Sequence, residues 1–343
     1  MLRIFHNTQY DFIRWWKTAV ILTALFVVAG LGSLIVKGIN YSIEFTGGTL
    51  MQLEFNQPPN IADIRAAVER AGVANPEVQQ FGTNREFAVR AQDHRDIAEQ
   101  NAGAESVAKQ IEAALTQKFG AGAFRVARTE AVGPRVGSEL RRGAAIALLI
   151  SFAVTLIYLA IRFEWRFGVA AVVATGHDVL TTLAFLKIMH LEVSLAVIAA
   201  ILTVLGYSLN DTIIIFDRVR EDLKKKRNET LYETLNRSIN ETLPRSVMTH
   251  ATTFLATLAL LLFAGEVIRP FAWVMIFGIV TGTFSSIYIA GPVLLWIERK
   301  WPRAHGKSSS LATPTGAPAR PGRDARERTA PAAASVTPAP TKR

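Results

Sequence analysis

Apolar residues along this chain fall in long, nearly unbroken blocks with the polar side chains gathered between them, not at the i, i+3, i+4 spacing of a soluble amphipathic helix. Six blocks, 18–36, 143–161, 168–188, 193–216, 246–264 and 271–297, reach the ~20 residues that a helix needs to cross a bilayer. Between the first two lies the one sizeable polar region, 37–142, where the pattern changes. A strand pattern over 43–55 is followed by a helix after Asn60, a suitable N-cap, which Gly72 closes. Residues 77–81 and 85–91 around Gly82, Thr83 and Asn84 predict a hairpin, 104–120 a second helix and 123–132 a last strand. The order βαββαβ is the split βαβ of a ferredoxin-like domain. That fold hosts many functions and does not select one.

Orientation follows from charge. Arg3, Arg14 and Lys17 against Asp11 mark the N-terminal flank as cytoplasmic, and Trp15 and Trp16 suit the interface. No Ala-x-Ala site follows the first block, so it reads as a retained signal anchor that places 37–142 on the far side. That region holds as many acidic as basic side chains, which is compatible with export. Residues 162–167 and the basic run Lys224 to Arg227 then read as cytoplasmic loops. The stretch up to Leu243 has the spacing of an amphipathic helix along the membrane surface, and Pro244 suits the first turn of the fifth span. Gly278 and Gly282 in the sixth block have the small-xxx-small spacing of close helix packing. Residues 308–343 are rich in Pro, Ala, Thr and Arg without periodicity, the signature of a disordered tail. The organisation predicted is a cytoplasmic N-terminus and first helix over 1–36, an exported α+β domain over 37–142, a five-helix bundle over 143–297 with a cytoplasmic loop at 217–245, and a basic cytoplasmic tail over 298–343.

Composition narrows the class further. Half of the residues are hydrophobic, and cysteine is absent, which removes disulfides, thiolate nucleophiles and Cys-ligated metals. The net charge of +10 lies beside the apolar blocks and belongs to membrane orientation, not to nucleic acid. Neither HExxH nor GxSxG occurs, and His94 with Asp93 and Asp96 has no catalytic spacing, so an enzyme finds no support and no cofactor or metal is implied. The Gly306-Lys307-Ser308 triplet is no phosphate loop, because Trp301 stands where the first glycine should be.

The chemistry of interest is inside the membrane. Asp211 sits in the fourth block, where a charge costs at least ~2.5 kcal/mol. It is either a proton or ion relay or, with Asn210 and Thr212, a polar contact between helices. His177 and Asp178 stand side by side in the third block, and adjacent helical positions point about 100° apart, so the pair is expected to face two ways and not to form one constellation. Arg245 at the head of the fifth block either snorkels to the surface or lies across from Asp211. Thr249, His250, Thr252 and Thr253 form a hydroxyl-rich face that either holds water or satisfies helix backbone.

Several strings in order carry a resemblance: IEFTGGT (43–49), VGPRVGSEL (132–140), RFEWRFG (162–168), HDV (177–179), GYSLNDTIIIFDR (206–218), PRSVMTHATT (244–253), GEVIRPF (265–271) and GTFSSIYIAGP (282–292). With these the chain resembles the SecF family, the smaller half of the SecD/SecF pair in the resistance-nodulation-division superfamily, over about residues 11–300. The resemblance implies a bacterial inner-membrane protein with both termini cytoplasmic and the large loop periplasmic. It implies an accessory subunit of the Sec machinery that couples proton flow to late steps of protein export. Its expected partners are a SecD-like six-helix chain, a SecYEG-type translocon, unfolded exported polypeptides and membrane lipids. Within the family the acid of the NDT motif and the arginine before the fifth span form the proton path, which falls on Asp211 and Arg245 here. Two positions depart from the pattern: Glu44 stands where Asp is common, and His250 where Ser is usual. The alternative is a proton-driven small-molecule or lipid exporter of the same superfamily, whose chains carry twelve spans and two exported loops.

Overall fold

The computed structural model describes residues 8–73, 76–91, 100–225, 229–265 and 267–302. The predicted loop around His94 and residues 303–343 of the predicted tail lie outside them, while 298–300 are helical. Among the described residues, six helices are long and apolar enough to cross a membrane: Ile13–Lys37, Arg135–Arg162, Trp165–Ile188, Leu195–Lys225, Leu231–Phe263 and Arg269–Lys300. A small sheet domain is inserted between the first two.

Helix α1 (Trp16–Lys37) leads into one helical turn, α2 (Ile43–Thr46), and then into β1 (Gly48–Phe55). The strand expected over 43–55 therefore starts five residues late. Gly47 and Gly48 are the reason: their φ angles of 74° and 124° turn the chain in a way that side-chain-bearing residues rarely allow. Helix α3 (Ile61–Arg70), β2 (Glu77–Gln80), β3 (Glu86–Ala91), α4 (Gln100–Phe119) and β4 (Phe124–Val132) follow. Asn60 does cap α3, accepting from Ala62 N at 2.9 Å, and Gly72 ends it at a φ of 84°. The strand order is β2-β3-β1-β4 with every neighbouring pair antiparallel, the ferredoxin-like order that βαββαβ predicts. Met51, Leu53 and Phe55 alternate onto the face covered by Ile64 and Val68 of α3 and by Ile111 and Leu115 of α4. Each such buried side chain contributes about 1.5–3 kcal/mol.

The bundle consists of α5 (Pro134–Arg162), α6 (Trp165–Ile188), α7 (Leu195–Lys225), α8 (Leu231–Phe263) and α9 (Arg269–Ser285), which passes through one π turn, Ser286–Ala290, into α10 (Gly291–Lys300). The stretch 217–245, expected as a loop with a surface helix, is instead helical to Lys225 and again from Leu231. Pro244 lies inside α8 and does not open it. A proline forfeits one intrahelical bond, to the Asn240 carbonyl. Burial of Leu231, Leu235 and Ile239 against Phe163, Phe167 and Phe216 keeps the helix going through it. Its start is fixed by a capping box, in which Thr230 Oγ1 accepts from Glu233 N and Glu233 Oε2 accepts from Thr230 N.

Two close crossings set the geometry of the bundle. A Cβ on Gly30 would stand 2.3 Å from Ala184 Cβ, so α1 touches α6 backbone to backbone. Cβ atoms on Gly278 and Gly282 would stand 2.2 Å from Val204 and 2.9 Å from Ser208, so the small-residue pair of α9 packs on α7 within this chain.

Candidate functional site

The buried positions of α7 run Val197, Ile201, Val204, Ser208, Asp211, Thr212 and Ile215, one continuous helical stripe. Apolar packing at both ends of that stripe carries Asp211 into the bundle, where it is 3% exposed. Its Oδ1 accepts a hydrogen bond from Ser246 Oγ of α8 at 2.5 Å. Its Oδ2 is buried and has no hydrogen-bond partner among the described residues. A buried carboxylate with one bonded oxygen is costly to keep charged.

Arg245 does not meet Asp211 in this arrangement. It is exposed, and Ser246, the next residue and about 100° further round α8, faces inward in its place. Asn210 is exposed too, whereas Thr212 is buried and shares a 2.7 Å hydrogen bond with Ser286 Oγ at the start of the π turn. Thr249 and Thr252 are exposed and donate to carbonyls of their own helix, Arg245 O at 2.9 Å and Thr249 O at 2.9 Å, which satisfies backbone. His250, one turn past Ser246, holds Thr283 Oγ1 through Nδ1 at 2.8 Å. Its ring lies 5.3 Å from that of Tyr207, whose hydroxyl donates to Thr249 O at 2.9 Å.

Asp178 is built differently. It is 1% exposed and fully served: the Ser208 and Ser285 hydroxyls donate to Oδ2, the latter at 2.8 Å, and His177 Nδ1 lies 3.1 Å from Oδ1. His177 and Asp178 were expected to face apart, and they do serve different helices, since His177 Nε2 reaches Thr23 Oγ1 of α1 at 2.7 Å. They nevertheless touch, because a two-atom ring edge spans the angle between adjacent side chains. Through this pair α1, α6, α7 and α9 share one polar seam.

Ser208, Ser246, Ser285 and Ser286 were not singled out in the sequence, because a small hydroxyl in an apolar block carries no signal of its own. Spacing could have suggested Ser208 alone, which precedes Asp211 by three residues on the same face. A third buried acid, Asp222, is 2% exposed at the far end of α7, where Arg237 Nη2 lies 3.2 Å and Ser238 Oγ 3.3 Å from it, both on α8.

The family model described as "Protein export membrane protein SecD/SecF, C-terminal" matches residues 110–300, and the SecD/SecF GG motif matches 32–59. A protein translocase subunit SecF from Gemmatimonas aurantiaca is 64% identical over 318 residues, covering 92% of this chain and 95% of the relative. The corresponding subunit from Escherichia coli O157:H7 is 37% identical over 291 residues, with 85% and 88% covered. The crystal structure of SecDF, a translocon-associated membrane protein from a Thermus species, matches with a TM-score of 0.75 at 36% identity over 85% of this chain. This chain spans 39% of that one. Against SecDF in its super-membrane-facing form the TM-score is 0.62.

Proposed function

Because the chain belongs to the SecF family of SecD/SecF protein-export membrane proteins, we propose that it is an accessory subunit of the Sec translocase that couples proton flow to late steps of protein export. The observation that carries this reading is Asp211, a carboxylate buried in α7 with one oxygen bonded by Ser246 and the other unserved. The chain sits in the bacterial inner membrane with both termini cytoplasmic and the sheet domain periplasmic, a reading supported by the basic segments that flank the spans. A SecD-like chain supplies the second half of the assembly, and the substrate is an unfolded exported polypeptide.

Asp211 and Arg245 form the proton path through two arrangements of α8. In one, Ser246 faces the carboxylate, as seen here; in the other, a turn of α8 by one position, about 100°, brings Arg245 to it. Pro244, which leaves the Asn240 carbonyl without its helical donor, is the place where α8 can turn. Taking up a proton at Oδ2 removes the charge that would hold Arg245 and favours the serine arrangement; losing it to the other side reverses the change. One charge crossing 100 mV yields about 2.3 kcal/mol, enough to shift a two-state equilibrium roughly fifty-fold. His177 and Asp178 support this path by tying α7, through Ser208, to α1, α6 and α9, so that α7 moves with this seam while α8 turns against it; His250 and Thr249 line its outer side.

The test is Asp211→Asn in membrane vesicles that contain the whole assembly. Loss of proton-gradient-dependent stimulation of secretion is expected, with a similar loss for Arg245→Met and a milder one for His177→Ala. Stimulation that survives Asp211→Asn overturns the relay.

A further inference from the structure

Both covalent connections of the sheet domain converge on the N-terminus of α7. The incoming one is tied along its length to the α6–α7 turn. Lys187, buried at the end of α6, donates to Gly38 O at 2.7 Å and to Asn40 Oδ1 at 3.3 Å. Val193 N donates to Asn40 O at 2.7 Å, and Ser42 N donates to Val193 O at 2.9 Å. The outgoing connection lies against the incoming one: a Cβ on Gly137, in the first turn of α5, would stand 3.0 Å from Gly47 N and 3.2 Å from Phe45 O. Phe45 is itself buried among Leu186, Val197 and Ile201 of α6 and α7.

Glu44 closes this joint. Its Oε2 accepts from the backbone N–H of Leu195, the first residue of α7, at 2.6 Å, and from Ser42 Oγ at 3.3 Å. The first amides of a helix have no partner within it and carry its positive end, so a carboxylate is the acceptor that holds them best. Ser194 Oγ caps the Val197 amide at 3.2 Å, and Glu44 takes the Leu195 amide from outside the helix, from the turn that runs directly into β1.

We propose that Glu44 is the positioning residue that makes the sheet domain follow α7. Asp211 lies sixteen residues along the same helix, ~24 Å away at 1.5 Å per residue. A shift of α7 at the acid reaches Leu195 as a rigid displacement, and Glu44 passes it to Gly47, Gly48 and β1. Arg90 of β3, the strand paired with β1, binds Glu192 in the same turn and gives the sheet a second tie to it. The inference rests on the relay reading of Asp211.

The experiment uses the full chain with its partner in membrane vesicles and records proton flux and gradient-driven export together. Glu44→Ala is expected to keep flux within about twofold of the parent while export stimulation falls about fivefold, the scale of one helix-terminal charge interaction. Glu44→Asp is expected to restore more than half of it. Parental export from Glu44→Ala overturns the proposal, and so does a loss of flux alongside export, which would make Glu44 part of the path or of the fold. Should Glu44→Ala fail to assemble, Glu44→Gln, of the same shape without the charge, is expected to give the same split at about two- to threefold. Parental export from that variant overturns the proposal. Asp211→Asn in the same vesicles separates the two readings: unchanged flux there overturns the relay, whatever the Glu44 variants do.

Discussion

Asp178 and Asp211 are both buried carboxylates, yet their hydrogen bonding divides the work between them. Asp178 receives two serine hydroxyls and a histidine ring nitrogen, so its charge is compensated in place. Asp211 receives one hydroxyl. Removing charge should therefore act oppositely at the two sites. Asp178→Asn is expected to lower stability by about 1–3 kcal/mol, because donors now face an amide. Asp211→Asn is expected to leave the unfolding temperature of the detergent-purified protein unchanged or raised, because a poorly served charge leaves the interior. A large loss of stability on Asp211→Asn would assign that acid to architecture alone. The sequence could show that Asp211 was out of place, since a carboxylate in an apolar block is conspicuous by itself. It could not show Ser246, because which of two adjacent residues on α8 faces inward depends on a helix rotation that only packing sets.

Helix α8 makes the same point over thirty-three residues. Block lengths count the spans correctly, because crossing a bilayer demands a fixed run of apolar residues. The ends of α7 and α8 escape that rule. Beyond Phe216 and before Pro244 they are held to each other by Asp222, Arg218, Arg237 and Glu241, side chains that read as solvent-exposed until the partner helix is known. Breaking this clasp with Asp222→Ala takes one of three carboxylates from Arg237, which keeps Glu229 and Glu241, and is expected to cost about 1–3 kcal/mol, seen as a lowered unfolding midpoint. Pro244→Ala should do the reverse. It returns a donor to the Asn240 carbonyl, raises thermal stability by up to ~3 kcal/mol and lowers export stimulation by holding α8 in one rotation. A gain in stability with full stimulation would show that Pro244 has no part in the movement. At the α7–α9 crossing, Gly282→Val forces a Cβ to within 2.9 Å of Ser208 Cβ and is expected to destabilise by about 1–3 kcal/mol, measured in the same unfolding assay.

Across the whole molecule, the apolar surface is unevenly covered. α1 leaves Ile21, Leu22, Leu25 and Val28 exposed, and α5 leaves Leu149, Ile150, Val154 and Ile157 exposed, while α7 and α9 bury most of theirs. The helices that carry the acids and serines of the polar seam, α6, α7 and α9, are thus the ones most enclosed by protein, which keeps the acids away from lipid. The π turn at Ser286–Ala290 has its own effect on this arrangement. A π turn takes in one residue more than an α turn, so all that follows is offset by a position: about 100° around the axis and 1.5 Å along it. Before that offset, Ser286 greets Thr212 on α7; after it, Gly291 lies against Ile13 and Leu235. One straight α-helix could not present both faces to those neighbours. The extra residue acts as a shim, letting a single span keep two appointments whose angles no regular helix would satisfy.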